Sequence, residues 1–264
     1  MSDQLETVIN NILSLTQSTE VTQIERVHKI WKYLDYLDNN LETIPPWGEL
    51  PKYWITTAKE SIQSNIFSLI YPHWITKDLI DKDQMFHTHL QQLSSQVTKE
   101  FLGLTIPDSR QELFDVAVEE FQLLDIHFKE PPRLLLYRIY ACFNVLTVTL
   151  LDTKVTDCVV DILLSAIVLV IIKACPQHLN AICCWIDEWS SPLDSRSSEL
   201  FYLYTHVNVA IHYINLIEVK PWRPTLPWIS LSSWLPSMPA PPSWSPSWPS
   251  LPSSWSTRFP SWSH

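Results

Sequence analysis

The 264-residue chain carries 18 basic against 28 acidic side chains, a formal charge of −10, with 46% hydrophobic residues, two glycines, twenty prolines and thirteen tryptophans. The length supplies a core for one or two domains, but Gly48 and Gly103 alone cannot build a Gly-rich phosphate cradle, which excludes a Rossmann fingerprint, a P-loop or a kinase glycine loop. The acidic balance also argues against nucleic acid as a partner, since no Lys/Arg-rich face is visible to displace counterions from a phosphate backbone, and it is compatible with a protein partner.

The polar, acidic start Met1-Ser2-Asp3-Gln4-Leu5-Glu6 does not read as a secretory leader. From Leu5 to Leu41 apolar residues recur at three- and four-residue steps: Leu5, Val8, Ile9, Ile12, Leu13, then Val27, Ile30, Trp31, Leu34, Leu37. This spacing predicts two helices. Ser18-Thr19-Glu20 and Thr22-Gln23 supply the helix-starting side chains between them, and Ile44-Pro45-Pro46-Trp47-Gly48 stops the second. The pattern returns with Ile62, Ile66, Phe67, Leu69 and Ile70 before Pro72, and with Met85, Phe86, Leu90, Leu93, Val97 and Phe101, all read as core. His87 and His89 are two apart and point to different sides of a helix, so they make no metal pair and are read as surface or hydrogen-bonding groups.

From Leu113 the chain becomes more apolar, with Val116, Ala117, Phe121 and Leu124 before the stop at Pro131-Pro132, then Leu134 to Leu151. The next run, Ile162 to Ile172, is bracketed by Asp161 and Lys173 and falls short of the roughly twenty residues that span hydrocarbon. It is expected to be a central buried helix rather than one arm of a membrane hairpin with Leu134–Leu151. Leu179, Ile182, Trp185, Ile186 and Trp189 mark a further helix, and Ser198 is placed to cap a last one from Glu199 to Ile217. Pro221 to His264 is a low-complexity mix of Pro, Ser, Trp and Leu with no helical or alternating period, read as an extended, disordered tail and as a candidate ligand for a proline-recognition adaptor.

Scarce glycine disfavours tight hairpins, so the fold class is all-α. Cys142, Cys158, Cys175, Cys183 and Cys184 lie in apolar stretches without paired C-x-x-C spacing, which reads as small buried hydrophobes in a reducing, cytosolic compartment. No nucleophile elbow, His-Glu-x-x-His helix or Cys/His pair supports covalent catalysis, and neither a metal nor a cofactor is expected. Asp161 stands out, because a carboxylate at the mouth of an apolar helix needs compensation: either the free N–H groups and dipole of a helix start, or a basic group brought by a partner.

The stretch from about Ser61 to Ile217 resembles the vacuolar protein sorting nine (Vps-nine) domain of guanine-nucleotide exchange factors. The residues that carry the likeness are Asp161-Ile162-Leu163-Leu164, Lys173-Ala174-Cys175-Pro176, then Leu179 with Trp185-Ile186 and Trp189, and finally Glu199-Leu200-Phe201-Tyr202-Leu203-Tyr204-Thr205. Where the family carries Pro and Lys, this chain has Ser165 and Leu135. The resemblance implies a layered helical exchange domain on an N-terminal helical bundle, with an extension over 1–52, the bundle over 53–110, the exchange core over 111–219 and the tail over 220–264.

It further implies exchange on a Rab-five-type small GTPase in endocytic or vacuolar trafficking, in the cytoplasm with peripheral recruitment to endosomal membranes. Asp161 is then the acidic finger that engages the GTPase's phosphate-binding lysine, disfavouring Mg²⁺ and the β-phosphate, and Tyr202 contacts the switch region. Leu164, Ser165, Glu199 and Thr205 fall in the expected partner-binding surface. Thr205 lies one helical turn after Tyr202, so the two can face one groove. Plain helix capping for Asp161, plain packing for Tyr202, and a GTPase- or adaptor-binding module without exchange activity are the competing readings.

Overall fold

A computed structural model of the chain describes residues 2–17, 21–43, 47–150, 159–190 and 199–218. Among these residues all regular structure is helical, in agreement with the all-α expectation: α1 Ser2–Gln17, α2 Gln23–Asn40, α3 Lys52–Trp74, α4 Lys77–Ser94, α5 Gln111–Ile126, α6 Pro132–Leu150, α7 Val159–Ala174, α8 Leu179–Trp189 and α9 Glu199–Leu216, with short 3₁₀ turns at Leu41–Thr43, Trp47–Glu49 and Asp108–Arg110. The Pro/Ser/Trp segment over 220–264, the helix cap expected at Ser198 and Cys158 lie outside the described residues.

The start of α2 follows from its sequence. Thr22 Oγ1 accepts from the Glu25 N–H at 3.4 Å while Glu25 Oε2 accepts from the Thr22 N–H at 3.3 Å, a reciprocal pair that satisfies two otherwise free donors. The end of α3 departs from expectation. The helix does not stop before Pro72 but runs through it to Trp74, and the Ile75 N–H closes the last turn on the Tyr71 carbonyl at 3.0 Å. A proline so near a helix end forfeits only one intrahelical bond, and its fixed φ is itself helical.

The core stripe of α4 is also narrower than the spacing suggested. Phe86, Leu90, Leu93 and Val97 are buried, whereas Met85, one residue (about 100°) round the helix from Phe86, is 74% exposed. Phe101 is 45% exposed because α4 ends at Ser94 and the chain turns through 95–103, with Gly103 at φ 66°. Leu69, on α3, is exposed as well.

Helices α5 and α6 form the most extensive pairing, joined by the short link 127–131. Helix α7 lies against α4, α5, α6 and α9, and from Ala166 to Ile172 no side chain is more than 3% exposed. The all-apolar run is therefore a central helix inside the protein. Helix α6 has the length and composition of a membrane span, but Leu135, Leu136, Ile139, Cys142, Phe143 and Leu146 recur at helical spacing as one buried face, with Arg133, Arg138 and Asn144 elsewhere on it.

The N-terminal helices are joined to α8 by an aromatic cluster. Trp185 is fully buried, with its ring 5.8 Å from Phe67, 5.3 Å from Tyr71, 4.8 Å from Trp74 and 5.0 Å from Trp189. Its Nε1–H donates to the Glu130 carbonyl at 3.0 Å, and Trp74 Nε1–H donates to Glu188 Oε2 at 2.6 Å. Trp31 of α2 extends the cluster onto Phe67 at 5.7 Å. The tryptophans of α8 are thus packing residues.

Candidate functional site

Asp161 is the third residue of α7 and sits in its first turn, half-buried. A carboxylate there is favoured by the free N–H groups and the positive end of the helix dipole. It makes no hydrogen bond or ion pair among the described residues, and one turn later Leu164 is completely buried. The apolar body of α7 thus begins immediately behind a charged group that water still reaches. Ser165 is 6% exposed, so it and Leu164 fix the seat of Asp161 from within and offer a partner almost no area.

On α9, Tyr202 is half-buried and burial holds its phenol pKa above the ordinary value. Its ring meets that of His206 edge-on at 4.7 Å, and its carbonyl accepts from His206 Nδ1 at 2.9 Å. His206 is 1% exposed, and desolvation lowers its pKa, so the ring is held neutral as a packing partner for Tyr202. Thr205 is half-buried and its hydroxyl donates to the Phe201 carbonyl at 2.8 Å, which ties it to its own helix. Glu199, exposed in the first turn, complements the dipole of α9.

The relation between the two helices is set by α4. Lys173 Nζ, at the end of α7, donates to the Ser94 carbonyl at 3.1 Å, and the Ile214 carbonyl, near the end of α9, meets His89 Nε2 at 3.0 Å. Both C-terminal ends are therefore held to the second half of α4, and α7 and α9 pack against each other. Asp161 precedes Lys173 by twelve residues and Tyr202 precedes Ile214 by twelve, so each lies about 18 Å from its mooring at 1.5 Å per residue.

The opposite end of α7 is held by long-range hydrogen bonds, in which His87 acts as the hydrogen-bonding group expected and Asp83 and Asp125 are residues that sequence reading passed over. Cys175 adopts φ 49°, a left-handed turn that reverses the chain, and the Pro176 carbonyl meets His87 Nδ1 at 3.2 Å. Asp125 Oδ2 accepts from the Gln177 N–H at 2.6 Å and its Oδ1 from the His178 N–H at 3.0 Å, with His178 Nδ1 3.3 Å from the same oxygen. Asp83, 4% exposed, accepts from the Asn180 and Ala181 N–H groups at 2.7 and 3.2 Å and so caps α8. Burial raises the Asp83 pKa, with those N–H groups opposing it only in part. For Asp125 burial also opposes ionisation, but the His178 ring and the two N–H groups outweigh it, and its pKa is lowered.

These opposite shifts have a measurable consequence. A lowered carboxylate contributes stability above its unfolded-state value of 3.8 and loses it as pH falls through its native value. Asp125→Asn is accordingly expected to be less stable than the wild type at neutral pH, with the difference shrinking steadily below pH 3.8 in denaturant titrations. A difference that stays constant into strong acid would show that the charge of Asp125 is not what holds the turn.

Cys142 and Cys183 are buried, and Cys175 and Cys184 half-buried; all are free thiols, as packing residues would be. Among the described residues no three His, Cys, Asp or Glu side chains converge as a metal site. No protein-family model and no curated protein sequence matches the chain.

Proposed function

We propose that the chain is a guanine-nucleotide exchange factor that promotes GDP release from a Rab-five-type small GTPase in endocytic or vacuolar trafficking, acting from the cytoplasm with peripheral recruitment to endosomal membranes. The observation that carries this reading is the water-accessible carboxylate of Asp161 in the first turn of α7, without a partner among the described residues, on a helix that packs against α9 and its half-buried Tyr202. The ordered resemblance of these and the surrounding residues to a Vps-nine domain supplies the partner.

A carboxylate inserted into a GTPase phosphate site replaces the anion there and gives the exposed lysine a partner, in surroundings where charges are poorly screened. Binding is reciprocal, so preference for the empty GTPase appears as lost nucleotide affinity in the complex. Rigid support behind Asp161 suits this role, because a buried helix body keeps the carboxylate from retreating when it meets the phosphate pocket. Tyr202, braced by His206, presents an aromatic contact on the adjoining helix.

The test is release of fluorescent GDP from a panel of Rab-five-type GTPases with the full chain added. Acceleration in at least one member supports the reading, and unchanged release across the panel overturns it. Saturable binding without faster release would identify a binding module of the same fold. Tyr202→Ala is expected to slow release about tenfold, the scale of an interface aromatic, while leaving thermal unfolding near that of the wild type because the ring is only half-buried.

A further inference from the structure

A cleft of about 600 Å³ opens between the end of α3, the face of α4, the α5–α6 link and the turn into α8. It lies about 20 Å along α7 from Asp161, at the end moored to α4, and the proposed exchange role makes no use of it. Its volume is that of a small-molecule site. Tyr71, 3% exposed, and Asp83 form the buried floor, Phe128, His178 and Ile75 form half-buried walls, and Ile80 stands exposed at the rim.

The walls are preorganised. The rings of Phe128 and His178 are stacked at 4.2 Å with only 4° between their planes, and Phe128 meets Tyr71 edge-on at 5.1 Å. The His178 Nδ1–H donates to Asp125, which leaves Nε2 as an acceptor with no partner among the described residues. The floor and rim hold unsatisfied donors. The Tyr71 hydroxyl makes no hydrogen bond among the described residues, and burial with Asp83 nearby keeps it protonated. Lys129 Nζ lies 5.0 Å from the centroid of the Phe128 ring and has no ion-pair partner among the described residues.

The carboxylates at the cleft are already committed, and His178 Nε2 is the acceptor left open on its wall. Both Asp83 oxygens take N–H groups of α8, and the nearby Glu130 is engaged by His127 at 2.6 Å and Arg138 at 3.3 Å. The exposed amides of Gln84 and Gln177 serve either role and decide nothing. A ligand that answers Lys129 and the Tyr71 hydroxyl brings negative charge to the rim and an acceptor to the floor, together with an apolar body for the Phe128 and Ile75 walls.

From this complementarity we infer that the cleft binds an aromatic carboxylate: the ring system against Phe128 and Ile75, the carboxylate on Lys129 at the rim. The probe is naphthoate, titrated into the full chain by calorimetry, with uncharged naphthamide as the shape control. Saturable one-site binding of naphthoate is expected, about fivefold tighter than naphthamide, the scale of one exposed ion pair.

Lys129→Gln, an exposed change that touches no core contact, is expected to remove that preference. Ile80→Glu, also exposed, is expected to weaken both probes by placing a like charge and a polar chain at the mouth. No saturable binding, equal or tighter binding of the amide, or affinity that survives both substitutions overturns the assignment. GDP release plays no part in these readouts, so their outcome is independent of the exchange reading.

Discussion

Alanine at Asp161 is expected to reduce stimulated GDP release about a hundredfold or more while leaving the protein folded. The magnitude is that of removing one preorganised charged or hydrogen-bonding group from the point where charge must be compensated. The fold is spared because Asp161 is half-buried and without a partner among the described residues, so the substitution forfeits only its favourable position at the start of α7, about 0.5 kcal/mol. Stopped-flow GDP release and a thermal melt on the same preparation separate the effects. Lost exchange with a wild-type melt is the expected pair. Full exchange in the variant would return Asp161 to plain helix capping.

Alanine at Trp185 is expected to have the largest effect on stability, about 3–5 kcal/mol. The residue is fully buried, four aromatic rings surround it, and its Nε1–H satisfies the Glu130 carbonyl. Truncation removes the ring, opens a cavity between α3 and α8, and leaves that carbonyl without its donor. Against a net stability on the order of 5–15 kcal/mol, such a loss brings the protein close to unfolding at physiological temperature. Trp185→Phe retains most of the ring contact and gives up the hydrogen bond, so a cost nearer 1–3 kcal/mol is expected. Urea denaturation followed by circular dichroism measures both; a Trp185→Ala cost below 1 kcal/mol would show that the cluster does not join the N-terminal helices to α8.

The parts of the fold written in local sequence were legible. The run behind Asp161 reads as a buried helix because it is too short to span a membrane and long for a strand, and Thr22 with Glu25 spells a helix start at the right spacing. Errors came where local pattern meets geometry: Pro72 lies near enough to a helix end to be accommodated, while Met85 and Phe101 continue a stripe by arithmetic after the helix face or the helix itself has turned away.

For the candidate site, local pattern singles out residues and not their surroundings. Asp161 and Tyr202 are named from the residues around them, but the seating of their helices depends on Lys173 and Ile214 reaching α4 across 79 and 125 residues of sequence. Asp83 and Asp125 carried no signal at all. Each is one acid among several on an amphipathic helix, and what distinguishes it is a backbone N–H 97 or 52 residues away. Long-range capping of this kind has no local spacing to betray it.

The most direct measurement is the affinity of the full chain for one Rab-five-type GTPase, prepared without nucleotide and loaded with GDP, by wild type and by Asp161→Ala. The wild type is expected to bind the empty form about a hundredfold more tightly, the size of a strong coupling between two ligands of one protein, with that gap closing in the variant. Equal affinity of the wild type for the two forms, or a gap that persists without the Asp161 carboxylate, would contradict the account.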